Sequence, residues 1–135
     1  VYARSGFTVL HTFSHLLIKS LASTSGFSLG SIRERLYYNV EEGEIVEAGI
    51  LLYSSAPSTD GTLGGLVQQG SSISRLDKIV KGAIESLQLC SNDPICREHR
   101  PTKEEINGAA CHTCILLPET SCELANFMLD RNWGN

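Results

Sequence analysis

The sequence predicts a small α+β domain in which a mixed sheet packs with helices, and three observations lead to this class. Residues 6–23 and 72–89 carry apolar side chains at helical spacing. Between them, residues 48–55 form a short apolar run of the kind found in a central strand. All the cysteines lie within residues 90–122, where four of them predict a knuckle loop that orders this part of the chain.

Length and composition are those of one domain, and we expect residues 1–135 to form it. The chain has 41% hydrophobic and 19% charged residues, a balance typical of a soluble globule with a single modest core. Because the first residue is Val rather than Met, we expect a fragment of, or a subunit beside, a larger protein.

Three further features of the sequence limit where the protein can be located and what it can bind. The apolar runs are far shorter than the roughly 20 residues that span a bilayer, and the N-terminal segment is too polar for a secretory signal. Five cysteines confined to the last third predict a cytoplasmic protein rather than a secreted disulfide framework. The net charge of −4 argues against a surface that binds nucleic acid throughout, although Arg33 and Arg35, or the stretch from Arg97 to Lys103, could form a local basic strip.

The N-terminal half is predicted from its periodicity. The first helix should end near Gly26. Residues 28–40 fit a strand and a short helix almost equally well, and EEGE, residues 41–44, should form a turn. A loop rich in Pro, Ser, Asp and Gly should then lead into a short helix from about Thr62 to Gly70.

The C-terminal half is predicted to hold two helices around a cysteine-rich loop. A serine at the junction can cap the helix of residues 72–89. A loop over residues 90–114 should follow. Thr120 and Glu123 form a capping box, which predicts a last helix over residues 120–133.

Four cysteines have the general spacing of a structural zinc site. Cys90 and Cys96 form one pair, Cys111 and Cys114 form a second, and a loop separates the pairs. Two such knuckles close a tetrahedron of thiolates around Zn²⁺ at about 2.3 Å per Zn–S bond. Zinc would also supply the folding free energy that a loop with few hydrophobic residues lacks. The spacing therefore favours a zinc ion held by these four residues.

The sequence alone also allows other functions for the cysteines. A redox C-x-x-C would follow a strand and begin a helix, which the segment before the second pair is not expected to do. An iron–sulfur cluster or disulfides would also use several cysteines. Cys122 is expected to be a buried thiol in the last helix, with ligation in place of Cys90 or Cys96 as the alternative. His99 and His112 carry ligand nitrogens, but with enough cysteines present we expect neither to bind.

Two histidines one helical turn apart suggest a different kind of site. His11 and His15 share a helix face, as metal-binding histidines do in H-E-x-x-H, but no glutamate stands between them. We therefore expect them to be partly buried and hydrogen-bonded. The loop of residues 58–66 matches no phosphate-binding motif and is expected to be a tight turn. If the fold brings Asp60 to the two histidines, a hydrolase or nuclease-like site is an alternative function.

A wider pattern resembles a known family. The chain contains, in this order, LHTFSHLLIKSLA, SIRERLY, GILLYSSAPSTDGTLGGLV, CSNDPIC, NGAACHTCILLPETSCE and LDR. These segments resemble the MrfA-like zinc-binding domain, a helicase-associated domain long of unknown function. The similarity is greatest to the branch of the family found in DISARM, a bacterial anti-phage defence system. It covers residues 9–131.

The resemblance implies a zinc ion held by Cys90, Cys96, Cys111 and Cys114. In the MrfA branch the cysteines lie much closer together, and this chain differs by the insertion REHRPTKEEINGAA between the two pairs. Family members act beside a superfamily 2 helicase, in the same chain or as a separate subunit. The resemblance thus implies such a helicase as partner, with DNA reached through the complex.

The expected function is a structural zinc-binding scaffold for a DNA helicase within a defence protein. The chain contains no Walker A motif, so the partner helicase would supply the ATPase. No residue offers a convincing nucleophile or base, and we expect no catalysis by the domain and no membrane partner. Direct contact with DNA through the stretch from Arg97 to Lys103 is a further alternative.

Overall fold

The computed structural model describes residues 6–54 and 65–132, and it confirms the predicted α+β class. Along the chain the elements are helix α1 (Gly6–Ser25), a 3₁₀ turn (Leu29–Ser31), strands β1 (Ile32–Glu41) and β2 (Glu44–Ser54), and helices α2 (Leu66–Ser71), α3 (Ile73–Glu85) and α4 (Ile95–Glu98). From α4 to residue 132 the chain consists of turns and irregular segments. Across the described ranges, no helix combines the length and apolarity needed to cross a membrane.

Helix α1 forms where its apolar periodicity predicts a helix. It ends at Ser25, just before Gly26, whose φ of 76° lies in the left-handed region that glycine adopts without strain. Its buried side is apolar in one half and polar in the other, where Thr12, Ser14 and the two histidines are all buried. A buried polar surface of this kind requires hydrogen-bonding partners from other elements.

Strands β1 and β2 form an antiparallel hairpin closed by a tight turn. Glu41 lies opposite Glu44, and the two residues between them, Glu42 and Gly43, have φ values of 50° and 81°. Two consecutive residues with positive φ are what a two-residue type I′ turn requires. The predicted turn is confirmed, and the segment that fitted a strand and a helix equally is a strand.

The interpretation of residues 48–55 as a central strand is wrong. Within the described residues the sheet has two strands, and β2 begins earlier, at Glu44. Leu51 and Tyr53 are 47% and 42% exposed, respectively. An apolar run indicates a strand but does not report how many neighbouring strands cover it.

Helix α3 confirms the predicted cap but is shorter than predicted. Ser72 is its N-cap residue, and the Ser72 hydroxyl accepts a hydrogen bond from the Arg75 backbone N–H at 3.4 Å. The helix ends at Glu85 rather than near residue 89, and Ile73 from its apolar stripe is 87% exposed. The predicted loop and helix start before residue 65 lie outside the described residues, and α2 begins at Leu66.

Helices α1 and α3 approach each other closely at one point. Ser20 of α1 donates a hydrogen bond to the Ile79 carbonyl of α3 at 2.7 Å. A Cβ placed on Gly82 would lie 2.8 Å from Ser20 Oγ. The small residue at position 82 therefore permits the crossing.

The hydrophobic core joins both long helices, β1 and the C-terminal segment. Its buried members fall into two clusters: Ile18, Leu21, Phe27, Ile32, Ile79 and Leu117, then Leu16, Ala83, Ile115 and Leu129. The three core residues of the C-terminal segment, Ile115, Leu117 and Leu129, lie outside any helix or strand. The C-terminal segment is thus held in place by a few buried side chains and by its own hydrogen bonds.

The predicted helix over residues 120–133 is wrong within the described residues, which end at 132. Ala125, Asn126 and Met128 have φ values of 50°, 62° and 65°, and consecutive left-handed residues cannot continue a right-handed helix. The Asn126 side chain instead pairs with the backbone of Leu117, whose N–H donates to Oδ1 at 3.0 Å and whose carbonyl accepts from Nδ2 at 2.7 Å. Position 133 lies outside the described residues.

A second backbone pairing fixes the end of the described chain. The Gly108 N–H donates to the Leu129 carbonyl at 2.9 Å, and the Arg131 N–H donates to the Ala109 carbonyl at 2.9 Å. A Cβ on Gly108 would collide with the Asp130 carboxylate. Glycine is therefore needed here for close approach of the two segments.

Candidate metal centre

The first cysteine pair is folded back on itself by one carboxylate. Asp93 Oδ2 accepts a hydrogen bond from the Cys90 N–H at 2.9 Å, and Oδ1 accepts one from the Arg97 N–H at 3.1 Å. The Cys96 N–H donates to the Asn92 carbonyl at 3.0 Å, which begins α4. Five residues separate Cys90 from Cys96, and these bonds bring the two cysteines onto the same side of the turn.

The second pair forms a tight turn of its own. The Cys114 and Ile115 N–H groups both donate to the Cys111 carbonyl, at 3.2 and 3.0 Å. Ile115, which follows directly, is fully buried in the core. The second pair is thereby anchored to the body of the domain.

The four predicted cysteine side chains converge. The Sγ atoms of Cys90 and Cys111 are 3.5 Å apart, those of Cys111 and Cys114 are 3.6 Å apart, and those of Cys96 and Cys114 are 3.7 Å apart. A tetrahedral site with Zn–S bonds of about 2.3 Å has S···S edges of about 3.8 Å. All four sulfurs lie within 4.8 Å of one another, so the group has the size and chemistry of a zinc tetrathiolate site.

Polar groups around the sulfurs are oriented to donate. Cys90 Sγ accepts from the Asn92 N–H at 3.4 Å, Cys111 Sγ accepts from Asn92 Nδ2 at 3.5 Å, and Cys96 Sγ accepts from Arg131 Nη2 at 3.5 Å. N–H donors stabilise thiolates, which are the form of cysteine that binds a metal.

Arg131 links the first pair to the end of α3. Its guanidinium donates from Nη2 to Asp93 Oδ1 at 2.6 Å and from Nη1 to the Leu87 carbonyl at 3.2 Å. The Arg131 side chain is 0% exposed. A buried ion pair that also contacts a ligand sulfur fixes the position of that sulfur.

The thiol pKa values differ in direction across the group. Burial raises the pKa of Cys96 and of Cys114. Burial also acts to raise the pKa of Cys111, but hydrogen bonds, with that of Asn92 the largest, outweigh it and lower this pKa to about 6. A bound divalent cation favours the thiolate at every ligand position.

Such a group suits a structural ion better than a catalytic one. Four protein sulfurs fill a tetrahedral coordination sphere and leave no position for water or substrate. Cys90 and Cys96 are also buried. The group connects the end of α3 to the segment that carries Ile115, and it could stabilise both.

Two residues that carry possible ligand atoms, His99 and Cys122, lie outside the four-cysteine group, as expected for both. His99 contacts the Gly108 carbonyl through Nδ1 at 3.0 Å and Glu105 through Nε2 at 3.2 Å. Cys122 does not replace a member of the four-cysteine group but belongs to a separate one. Rather than lying inside a helix, it follows a turn, and it is buried, as predicted.

Two basic residues of the insertion, Arg97 and Arg100, are engaged with the chain itself. Arg97 donates from Nη2 to the carbonyls of Leu87 and Gln88, at 3.1 and 2.5 Å. Arg100 donates from Nη1 to the Arg97 carbonyl at 2.8 Å. These guanidinium groups stabilise local backbone, and such contacts compete with phosphate binding.

The two histidines of α1 are buried and hydrogen-bonded. His11 and His15 are both 0% exposed, and their Nε2 atoms lie 2.9 and 2.8 Å from the same oxygen, Oε1 of Glu34. Burial acts to raise the Glu34 pKa, but the contacts with the two histidines lower it to about 2. The proposed third member of a hydrolytic site, Asp60, lies outside the described residues.

Glu34 was not predicted as a site residue, although the alternation of side chains along β1 places it on the buried face of the strand. Along β1, Ile32 and Glu34 are buried while Arg33 and Arg35 are exposed, so strand alternation places the carboxylate on the inward face. A charged residue there must have a partner. Histidines at helical spacing supply it.

The fold and the four-cysteine group define a small α+β zinc-binding domain. The family model of the MrfA Zn-binding domain matches residues 13–115. The chain therefore belongs to this family, as its resemblance predicted, and zinc is its cofactor.

One curated relative extends the comparison. The DISARM protein DrmB of Bacillus paralicheniformis is 43% identical over 127 residues, which make up 93% of this chain and 22% of that protein. The chain thus spans about a fifth of the relative's length.

Proposed function

We propose that this domain is a non-catalytic scaffold in a DISARM-type anti-phage defence protein, ordered by one zinc ion on Cys90, Cys96, Cys111 and Cys114. The observation that carries the zinc assignment is the convergence of four sulfurs within 4.8 Å of one another. The family match and the likeness to DrmB support the defence setting.

The proposed role of the zinc ion is to fix one face of the domain. The four ligands come from the segment that follows α3, from α4 and from the turn before Ile115. Without the ion, this region has few apolar side chains to hold its turns together. Metal binding then supplies the free energy that orders it.

The proposed partner is a superfamily 2 helicase, in the same chain or in a separate subunit, and DNA is reached through that complex. This proposal rests on the family resemblance. The engagement of Arg97 and Arg100 with backbone carbonyls supports indirect rather than direct contact with DNA.

Metal analysis of the purified chain tests the zinc assignment. We expect zinc in the wild type, and in Cys111→Ser the loss of one equivalent together with increased protease sensitivity of residues 90–115. Lys81→Ala is the control, because Lys81 and its partner Asp77 form an exposed pair at 2.8 Å. Cys111→Ser with unchanged metal content would contradict the ligand assignment.

Assay with the helicase tests the scaffolding role. In a defence protein that contains this domain, Cys111→Ser should abolish co-purification of the helicase, whereas Lys81→Ala should leave it unchanged. Equal recovery of helicase with both variants would refute the idea that the zinc-ordered face supports the partner.

A further inference from the structure

We propose that His11, His15, Glu34 and Cys122 form a second, buried structural site for a divalent transition-metal ion, with zinc the best match. The four residues come from α1, β1 and the turn that contains Cys122. The site therefore joins three parts of the chain, and none of these three parts contributes a cysteine to the four-cysteine group.

The four ligand atoms lie close together. His11 Nε2 lies 2.9 Å from Glu34 Oε1 and 3.3 Å from Cys122 Sγ, and His15 Nε2 lies 2.8 Å from the same carboxylate oxygen. All four ligand atoms fall within 4.8 Å of one another. Tetrahedral zinc with N, O and S ligands has edges of about 3.3 to 3.6 Å, so an expansion of a few tenths of an ångström admits the ion.

The hydrogen bonds of His15 define where its lone pair points. Its Nδ1 lies 3.0 Å from the Ile115 carbonyl oxygen, which can only accept, so Nδ1 carries the proton. In the neutral ring, Nε2 then directs its lone pair at a carboxylate oxygen, 2.8 Å away. Two lone pairs repel at this distance unless a proton or a metal ion lies between them. A metal-bound histidine shows this pattern, with the outer N–H held by a carbonyl.

Glu34 is equally well placed to be a ligand. Its Oε2 accepts from the Ser14 hydroxyl at 2.8 Å, which orients the carboxylate so that Oε1 faces both imidazole rings. The rings themselves are nearly perpendicular, at 88° with centroids 4.6 Å apart. Two rings in this arrangement present their Nε2 atoms to a shared ion from different directions.

Cys122 has the surroundings of a metal-binding sulfur. Its Sγ accepts from the backbone N–H groups of Leu124 at 3.4 Å and Asn126 at 3.2 Å. Cys90 in the four-cysteine group accepts from the residue two positions later in the same way, at 3.4 Å from the Asn92 N–H. The left-handed residues Ala125 and Asn126 wrap the backbone around this sulfur, which explains why no helix forms there.

Charge balance favours a divalent ion. One carboxylate and one thiolate compensate two positive charges, and both imidazoles stay neutral, so no net charge is buried. The mixture of nitrogen, oxygen and sulfur ligands suits zinc. Because all four residues are buried, the site is structural and closed to substrate, which also argues against the hydrolase alternative.

The second site is independent of the first. The family match covers residues 13–115, so it includes neither His11 nor Cys122. A proton shared between the histidines and Glu34 is the rival explanation for the same contacts. It predicts one zinc ion per chain, whereas the proposed site predicts two.

X-ray absorption at the zinc edge, combined with metal analysis, distinguishes these explanations in the wild-type chain. We expect two zinc ions per chain whose combined coordination comprises five sulfur and three nitrogen or oxygen ligands. One zinc ion with four sulfur ligands would overturn the second site and leave the first intact. This measurement needs no variant and does not depend on whether a mutant folds.

Variants assign the metal to each site. Cys122→Ser and His15→Ala should each lose one zinc ion, and the ion that remains should have sulfur ligands alone. Cys111→Ser should lose the ion of the four-cysteine site and retain one ion bound by nitrogen, oxygen and sulfur ligands. This result distinguishes an error in the four-cysteine assignment from an error in the second site. Ser25→Ala is the matched control, because Ser25 is a buried α1 residue bonded to Gln69 at 3.1 Å, away from both groups. Full zinc content in Cys122→Ser and His15→Ala would refute the proposal.

Discussion

Arg131 is the single residue that connects most parts of the four-cysteine group. It contacts Asp93, the Leu87 carbonyl and Cys96 Sγ from a fully buried position. Removal of one partner from a buried ion pair leaves the other charge without compensation. Arg131 therefore stabilises the group without being one of its proposed ligands.

We expect Arg131→Ala to lower the free energy of unfolding by about 3 kcal/mol, in keeping with the loss of a buried pair. Zinc affinity should also fall by about 10-fold or more, as for other residues that support ligands. Chemical denaturation and competition with a chromogenic chelator measure the two effects.

Arg97→Ala is the matched control, since Arg97 lies 3.9 Å from the same carboxylate but is 37% exposed. Arg97→Ala removes this exposed ion pair and the bonds to the Leu87 and Gln88 carbonyls, and it should cost clearly less free energy of unfolding than Arg131→Ala. Equal effects of the two substitutions would show that burial of Arg131 is not what makes it important.

At the same scale, cysteine spacing was enough to select which four cysteines converge. It could not place Cys122, because the capping-box pattern at Thr120 and Glu123 favoured a helix. The sulfur of Cys122 instead accepts hydrogen bonds from the backbone N–H groups of Leu124 and Asn126, which in a helix would donate to backbone carbonyls. Glu34 was missed because its partners lie 19 and 23 residues away on another element.

At the level of secondary structure elements, the α1–α3 crossing depends on one glycine and one serine. Alanine at position 82 would improve helix propensity by about 1 kcal/mol. Its Cβ would also lie 2.8 Å from Ser20 Oγ, whose hydroxyl is held by the Ile79 carbonyl. Steric conflict of this kind costs about 1–3 kcal/mol, so contact outweighs propensity.

A double-mutant cycle tests this balance. Gly82→Ala should destabilise the wild type by about 1 kcal/mol but stabilise a Ser20→Ala background by about 0.5–1 kcal/mol, because only the propensity gain remains. Thermal or urea unfolding of the four proteins gives both values. The same cost in both backgrounds would mean that Ser20 is not the opposing contact.

Local periodicity predicted α1, α3 and the hairpin turn well, because these elements are specified by neighbours in sequence. It failed for the end of α3 and for the apolar run in β2. Burial of such residues depends on which segments cover them, and in β2 the side chains of Leu51 and Tyr53 stay 47% and 42% exposed.

For the whole molecule, the distribution of stabilising contacts predicts strong dependence on metal. At a free zinc concentration about 1,000 times the dissociation constant, one site adds about 4 kcal/mol to the free energy of unfolding. Chelation should therefore lower Tm by more than about 10 °C for a domain of this size. Calorimetry with EDTA, and with zinc-saturated EDTA as the control, measures the shift.

Restored zinc should return Tm to its initial value if unfolding is reversible. A Tm that EDTA leaves unchanged would mean that hydrophobic contacts alone stabilise the domain. That result would contradict the structural role proposed for the ion.

The turn that contains Cys122 also has a consequence for how the protein is made. Cys122 lies 111 residues after His11, and the Asp130 N–H bonds to Thr12 across 118 residues. As the chain leaves the ribosome, α1 and Glu34 emerge early, while Cys122 and Asp130, which also contact the polar face of α1, are still unsynthesised. Contacts between such distant residues form slowly. We therefore expect the domain to complete its fold only after residue 130 has emerged, and a ribosome that stalls earlier would release a product in which α1 lacks its contacts with Cys122 and Asp130.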